Sequence, residues 1–221
     1  MLRLENVSYR YKNSGHDAVK NVSCIFEDGK LNVVMGASGS GKTTLLSVLA
    51  GLDKPTSGEI FIDNESLTEL DPDLYRRERV SMIFQAFHLF PLMTAIENVC
   101  YPMKMNGIVH YKARERAKGY LESVGINEEK HGRYPSNLSG GEQQRVAIAR
   151  ALSTGAKVLL ADEPTGNLDV QNGENVMDIL KHLADKKNYC VVVVTHNMDI
   201  VKKADVVYKM SDGVMQPLLC D

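Results

Sequence analysis

Leu31-Asn32-Val33-Val34-Met35 runs directly into Gly36-Ala37-Ser38-Gly39-Ser40-Gly41-Lys42-Thr43, and what this stretch demands sets the fold. Glycines at these spacings let successive backbone N–H groups turn inward, in conformations that side chains forbid, and so build a cradle for an anion. A helix expected from near Lys42 to Gly51 aims its partial positive end at the same point. Lys42 adds a point charge suited to the β- and γ-phosphates of a nucleoside triphosphate, and the Thr43 hydroxyl suits Mg²⁺. Thr44 in the first helical turn joins the same nucleotide-binding set. A chance match to all four fixed positions would occur on the order of 1% of the time in a chain this long, given ordinary glycine usage.

Working outward, three further strands carry chemistry to the same edge. Val158-Leu159-Leu160-Ala161 ends in Asp162-Glu163. A buried parallel strand delivers both acids at its C-terminal end, where open α/β sheets bind ligands. Asp162 can then hold magnesium, directly or through water, and Glu163 can orient and deprotonate an attacking water. Alone, the pair reads equally well as an acidic turn; beside the phosphate loop the catalytic reading prevails. Val191-Val192-Val193-Val194-Thr195 is followed by His196, placed to contact the γ-phosphate. Val80–Phe84 is followed by Gln85, whose amide could ligate magnesium or sense the γ-phosphate. His16, His88, His110, His131 and His182 read as structural or surface residues.

Before the phosphate loop the pattern changes period. Leu2, Leu4 and Val7, then Val22, Cys24 and Phe26, alternate with polar residues, as half-buried antiparallel strands do. Gly15 and Glu27-Asp28-Gly29 interrupt them. Glu59–Ile62 reads as another strand after the turn Pro55-Thr56-Ser57-Gly58. From Leu92 to Leu152 helical periodicity dominates, with Lys112–Leu121 a charged, solvated helix. Strands return at Val158–Ala161, Cys190–Thr195 and Val206–Met210, and a hairpin turns at Ser211-Asp212-Gly213. The expectation is one α/β domain over 1–221: a mostly parallel sheet with the antiparallel strands in 1–86 and 157–221, and an inserted helical unit in 87–156.

Composition narrows the functions. With 221 residues, 43% hydrophobic, 24% charged and a net charge of −2, the chain has an ordinary globular balance, so no nucleic-acid partner is expected. The longest dense apolar run, Tyr189–Thr195, falls short of the about 20 residues a membrane span needs. Met1-Leu2-Arg3-Leu4-Glu5 lacks a signal-peptide pattern, so a membrane connection is expected only through another chain. Cys24, Cys100, Cys190 and Cys220 form no CxxC pair. Neither zinc nor a disulfide framework is expected, and a reducing cytosol fits.

Leu138-Ser139-Gly140-Gly141-Glu142 opens a helix through Gln143-Gln144-Arg145-Val146-Ala147-Ile148-Ala149-Arg150-Ala151-Leu152. Ser139 with Glu142 makes a capping box. The two consecutive glycines go beyond that need and expose N–H groups as a second anion site. With the phosphate loop, this helix start makes the chain resemble an ABC-family nucleotide-binding domain over essentially its whole length. Arg133-Tyr134-Pro135 and Ala161-Asp162-Glu163-Pro164-Thr165-Gly166-Asn167-Leu168-Asp169 narrow the resemblance to the bacterial lipoprotein-releasing, macrolide-exporting, antimicrobial-peptide-resistance and cell-division group. Glu142, where glutamine is also frequent, and Ala156, where proline often stands, depart from that pattern.

The resemblance implies a P-loop NTPase (RecA-like) core with an N-terminal antiparallel β subdomain and an inserted α-helical subdomain. It implies ATP hydrolysis with Mg²⁺, and an ATP-dependent homodimer, or a pairing with a second nucleotide-binding subunit, packed head to tail. Ser139, Gly140 and Gly141 would meet the partner copy's ATP. Tyr11 would stack on adenine, Gln85 would form a switch loop, and Asn167-Leu168-Asp169 would cross the dimer interface. An integral membrane permease would dock near 85–99, placing the chain at the cytoplasmic face of the membrane. Phe84, Phe87, Leu89 and Phe90 there suit docking or core packing equally. A membrane complex that signals or divides without transport, or a soluble ABC ATPase, are the alternative settings.

Overall fold

A computed structural model describes residues 1–12 and 14–218, so Cys220 lies outside the described residues. The alternating N-terminal residues form β1 (Leu2–Tyr9) and β2 (Val19–Phe26), paired antiparallel. The chain continues through β3 (Leu31–Met35) and α1 (Lys42–Leu49), with Gly51 at φ 66 just beyond the helix. β4 (Ser57–Ile62) and β5 (Glu65–Ser66) complete a sheet ordered β2-β1-β4-β5. β4 starts inside the turn expected from sequence: Ser57 pairs with Ser8 across a register shift. Gly58 makes this possible, since at φ 79 a Cβ would stand 2.2 Å from the Asn6 carbonyl oxygen.

α2 (Pro72–Glu78) was not expected, although its signal is in the sequence: Asp71 caps the N–H groups of Asp73 and Leu74, and Pro72 stands at the first position. β6 (Val80–Phe84) follows, then α3 (Ala95–Met105), α4 (His110–Ser123) and α5 (Gly140–Ser153). β7 (Val158–Asp162), α6 (Val170–Lys187), β8 (Cys190–Thr195), α7 (Met198–Val201), β9 (Val206–Ser211) and β10 (Val214–Pro217) complete the described chain. The second sheet runs β10-β9-β3-β8-β7-β6. Its pairings are parallel except at the terminal hairpin.

Strand alternation divides the interior across this sheet. Leu159, Ala161, Val191 and Val193 face a cluster shared with α3, α4, α5 and α6. Leu160, Val192 and Val194 face the opposite cluster, with α1 and the antiparallel sheet. The three helices between β6 and β7 therefore have no core of their own; Ala113, Ala117 and Leu121 of α4 join the sheet's cluster. No helix among the described residues is long and apolar enough to cross a membrane.

Candidate functional site

The parallel register places four strand ends side by side. Met35 pairs with Thr195, Val194 with Asp162, and Asp162 with Phe84. Three of these strands hand their next residue to one cleft, His196, Glu163 and Gln85, and the fourth leads through Gly36 into the loop that borders it. That cleft, of about 550 Å³, is lined by Tyr11, Ser38, Gly39, Lys42, Thr43 and Thr44 together with Gln85, Asp162, Glu163 and His196.

The loop from Gly36 to Gly41 is fixed by contacts that no side chain could share. At Gly36 a Cβ would lie 2.3 Å from the Met210 carbonyl oxygen, and at Gly41, with φ 106, 2.2 Å from that of Ala18. The carbonyl of Ser40 accepts from the N–H of Gly213, and the buried Ser40 hydroxyl has no partner. Lys42 is nearly buried and donates from Nζ to the carbonyls of Gly36 (2.8 Å) and Ala37 (2.9 Å). An orphan hydroxyl, a buried cation and a side-chain-free cradle at the start of α1 fit a polyphosphate.

Thr43 Oγ1 donates to Asp162 Oδ1 at 3.2 Å. Burial pushes the Asp162 carboxyl above its ordinary range, and Glu163 adds to that, while the Thr43 hydroxyl and Lys42 pull the other way. A raised carboxyl binds its proton more readily folded than unfolded, so its ionisation destabilises the fold as pH rises through the folded value. Asp162→Asn should therefore melt higher than the parent at pH 7, with the difference shrinking as the pH falls toward the ordinary aspartate value of 3.8. Calorimetry without nucleotide reads this, and a variant melting no higher at pH 7 would sink it.

Glu163 sits one residue past β7 at φ 45, a left-handed conformation that non-glycine residues adopt at a cost. Three bonds hold it there. Its N–H donates to the Val194 carbonyl at 3.0 Å, Thr195 Oγ1 donates to Oε2 at 3.1 Å, and His196 Nδ1 meets Oε1 at 2.8 Å. The carboxylate is 16% exposed and the imidazole 69%, so the pair faces the cleft with the histidine outermost. Gln85 Nε2 donates to Asn167 Oδ1 at 3.2 Å, and Asn167 Nδ2 returns a bond to the Gln85 carbonyl at 3.0 Å. Gly166 allows this approach, because a Cβ there would stand 2.7 Å from Gln85 Nε2. Gln85 lines the cleft together with Thr43 and Asp162. This set of hard oxygen donors suits Mg²⁺, which takes few protein ligands and completes its shell from water and phosphate. No group of three or more His, Cys, Asp or Glu among the described residues forms an all-protein metal cage.

Tyr11 lies just past the end of β1. The rings of Tyr9 and Tyr11 meet edge to face at 5.0 Å, and the Tyr11 hydroxyl is 2.8 Å from Thr44 Oγ1. Tyr11 remains 48% exposed at the mouth of the cleft.

Ser139, Gly140, Gly141 and Asp169 are not brought into this cleft. Ser139 caps α5 in a capping box with Glu142, which also pairs with Lys130 at 2.6 Å. A Cβ on Gly141 would meet Asn172 Oδ1 at 2.2 Å. Asp169 caps α6 through Asn172, whose N–H and Nδ2 donate at 2.9 and 2.7 Å; these bonds hold its carboxyl below the usual range. Sequence reasoning missed Thr195 and Gln144. Gln144, fully buried on α5, donates from Nε2 to the carbonyls of Pro164 (2.9 Å) and Phe84 (3.4 Å), so it touches the turns after both Glu163 and β6. A buried glutamine in an apolar helix face was the available signal.

A family model described as ABC transporter matches residues 19–166. An uncharacterized ABC transporter ATP-binding protein of Methanocaldococcus jannaschii, MJ0796, is 41% identical over 225 residues, covering 98% of this chain and 95% of its own. The lipoprotein-releasing system ATP-binding protein LolD of Rickettsia bellii is 42% identical over 218 residues and 97% of each chain. Two dimeric structures of MJ0796, one a post-hydrolysis state bound to ADP and Pi, superpose over 100% of each chain at TM-score 0.88 with 38% identity. Four strand ends meeting a phosphate cradle, and likeness along essentially the whole chain, lead to one conclusion: the protein belongs to the ABC transporter family and is one of its ATP-hydrolysing cassettes.

Proposed function

We propose that this chain is the motor of a membrane transport complex, in which two cassettes close head to tail around ATP and drive a separate permease of the export, lipoprotein-release or peptide-resistance type. The carrying observation is the division of parts. The phosphate loop, Asp162, Glu163 and His196 share one cleft, whereas Ser139, Gly140 and Gly141 present a second anion-binding helix start outside it. One chain holds both halves of a site but does not join them, and a second copy would supply the missing half to each. The dimeric MJ0796 structures are consistent with this.

In that arrangement Lys42 and the loop N–H groups hold the β- and γ-phosphates, and Tyr11 covers the base. Thr43, Asp162 and Gln85 would hold Mg²⁺, which when bound neutralises phosphate charge. Glu163, fixed by Thr195 and His196, accepts the proton of a water whose oxygen attacks the γ-phosphorus. The bond to the bridging oxygen breaks, and ADP and phosphate leave. His196 faces the γ-phosphate from the open side.

The permease would dock beside β6. Four apolar residues near β6 bear on this docking surface. Leu89 packs against the interior, and Phe87 lies next to Gly140. Phe84 and Phe90 line a groove of about 340 Å³ with Met82 and Tyr101. Arg150 donates to the carbonyls of His88 (2.6 Å) and Phe87 (3.1 Å), fixing the loop that borders this groove. A docked segment here would lean on the same turn that carries Gln85. Its setting beneath such a partner gives the chain a peripheral place at the cytoplasmic membrane face.

Sedimentation of Glu163→Gln with and without ATP tests the shared site. A monomer that becomes a dimer only with ATP supports it. A chain that binds ATP yet remains monomeric at high concentration overturns closure by two copies alone.

A further inference from the structure

A second cavity, of about 660 Å³, opens at the other end of the sheet, where β7 and β8 begin. Its wall is apolar, formed by Tyr120, Ile179, Leu183 and Tyr189, and its rim carries Arg116, Lys157 and Lys187. Asp178, which itself lines the cavity, pairs with Lys203, while nearby Glu128 pairs with Lys118 and Asp185 with Lys181; Glu78 borders a separate hollow on the far side of Lys157 and Lys187. Among the described residues none of the three rim cations has an ion-pair partner. Lys157 instead holds its ammonium 4.4 Å from the centre of the Tyr189 ring. In a chain of net charge −2, three unmatched cations around one apolar hollow form a local positive field.

The wall carries one more anomaly. Gly119 lies in the interior of α4, where glycine costs about 1 kcal/mol against alanine. No atom lies within 4 Å of a Cβ built on it, so neither packing nor a turn requires it. Gly119 lines the cavity, with Arg116, Tyr120 and Ser123 on the same helix face at intervals of three and four residues. Its effect is to leave the hollow open.

We infer that this cavity binds a small anionic amphiphile, an acyl or aromatic body carrying a carboxylate. The volume is in the range of small-molecule sites, about 300–1,000 Å³. An inorganic anion would leave the apolar wall unused, and a neutral hydrocarbon would leave the three cations unmatched. The strands between this cavity and the phosphate loop separate the two, so its occupancy can be tested without touching the nucleotide residues.

Decanoate is a suitable ligand for titration calorimetry on the full chain at low salt. Saturable binding at one site per chain is expected, with decanol, of the same chain length but uncharged, binding at least tenfold more weakly. Lys157→Glu combined with Lys187→Glu should weaken decanoate by roughly tenfold or more, the worth of a charged hydrogen bond. Gly119→Trp should fill the hollow and abolish decanoate binding while ATP affinity stays unchanged, which shows that the variant is folded. Should Gly119→Trp fail to bind ATP, Gly119→Leu serves as the milder plug. Non-saturable binding, decanol as tight as decanoate, or undiminished binding in the plugged chain would each overturn the assignment.

Discussion

Glu163→Gln is expected to bind ATP as the parent does and to turn it over about 10²–10⁴-fold more slowly, the usual contribution of a positioned general base. Glutamine has the same shape, and its amide oxygen can still accept from Thr195 Oγ1, so the turn at φ 45 and the bond from the Glu163 N–H to the Val194 carbonyl stay in place. What disappears is the ability to take a proton from water. Phosphate release under saturating ATP measures the rate, and equilibrium binding of ATP measures the affinity. A loss shared equally between the two would mean that Glu163 holds the nucleotide, and turnover within a few-fold of the parent would remove it from the chemistry. Thr195→Val separates positioning from reaction: it leaves the carboxylate but removes one of its restraints, so it should cost turnover less than Glu163→Gln.

Gly41→Ala should destabilise the chain strongly for the addition of a single methyl. The backbone there stands at φ 106, and the new Cβ would lie 2.2 Å from the Ala18 carbonyl oxygen and 2.8 Å from the Met210 side chain. Methionine can move; the Ala18 carbonyl belongs to the segment that enters β2, whose Ala18 N–H is bonded to Tyr9. Backbone strain of about 1–3 kcal/mol and overpacking of about 1–3 kcal/mol act together. At about 2–4 °C per kcal/mol for a chain of this size, melting should fall by roughly 5–20 °C. Nucleotide affinity should fall as well, because the residue that moves precedes Lys42. Gly39→Ala is the control: its φ of 77 strains a side chain, but nothing lies within 4 Å of the added atom. If the two variants melt alike, contact with Ala18 is not the cause.

Much of the fold was legible because strand length, apolar content and a functional residue coincide at the strand ends. Leu31–Met35, Val80–Phe84 and Cys190–Thr195 are fully or largely buried strands whose sequences are mostly apolar, and each forms over the expected residues. The cleft followed from them, since parallel strands must bring their C-terminal ends to one edge. Less was legible where a local choice depends on a distant neighbour. β4 begins at Ser57 because Ser8 is there to pair with it, a partner that no turn motif reveals. The helices between β6 and β7 read as a unit by period, yet their inner faces complete the sheet's own interior, and only three-dimensional packing shows that. Gln144 escaped notice for the same reason: its partners are backbone carbonyls, and these have no sequence signature.

The reacting groups hang from the last paired residue of a strand or the one after it, outside both hydrophobic clusters. Chemistry and architecture are thus nearly separate inheritances. On the roles proposed for them, a single-letter change at Glu163 or His196 should silence the enzyme and leave a folded protein with its binding surfaces intact. Such a copy would not be cleared as misfolded material; it would persist and compete for places in the assembly. In a cell expressing silent and active copies equally, random pairing would leave only about a quarter of two-cassette assemblies with both sites competent. For this protein the damaging allele is the one that folds well, and a genetic screen should find dominant lesions at the strand ends and recessive ones in the core.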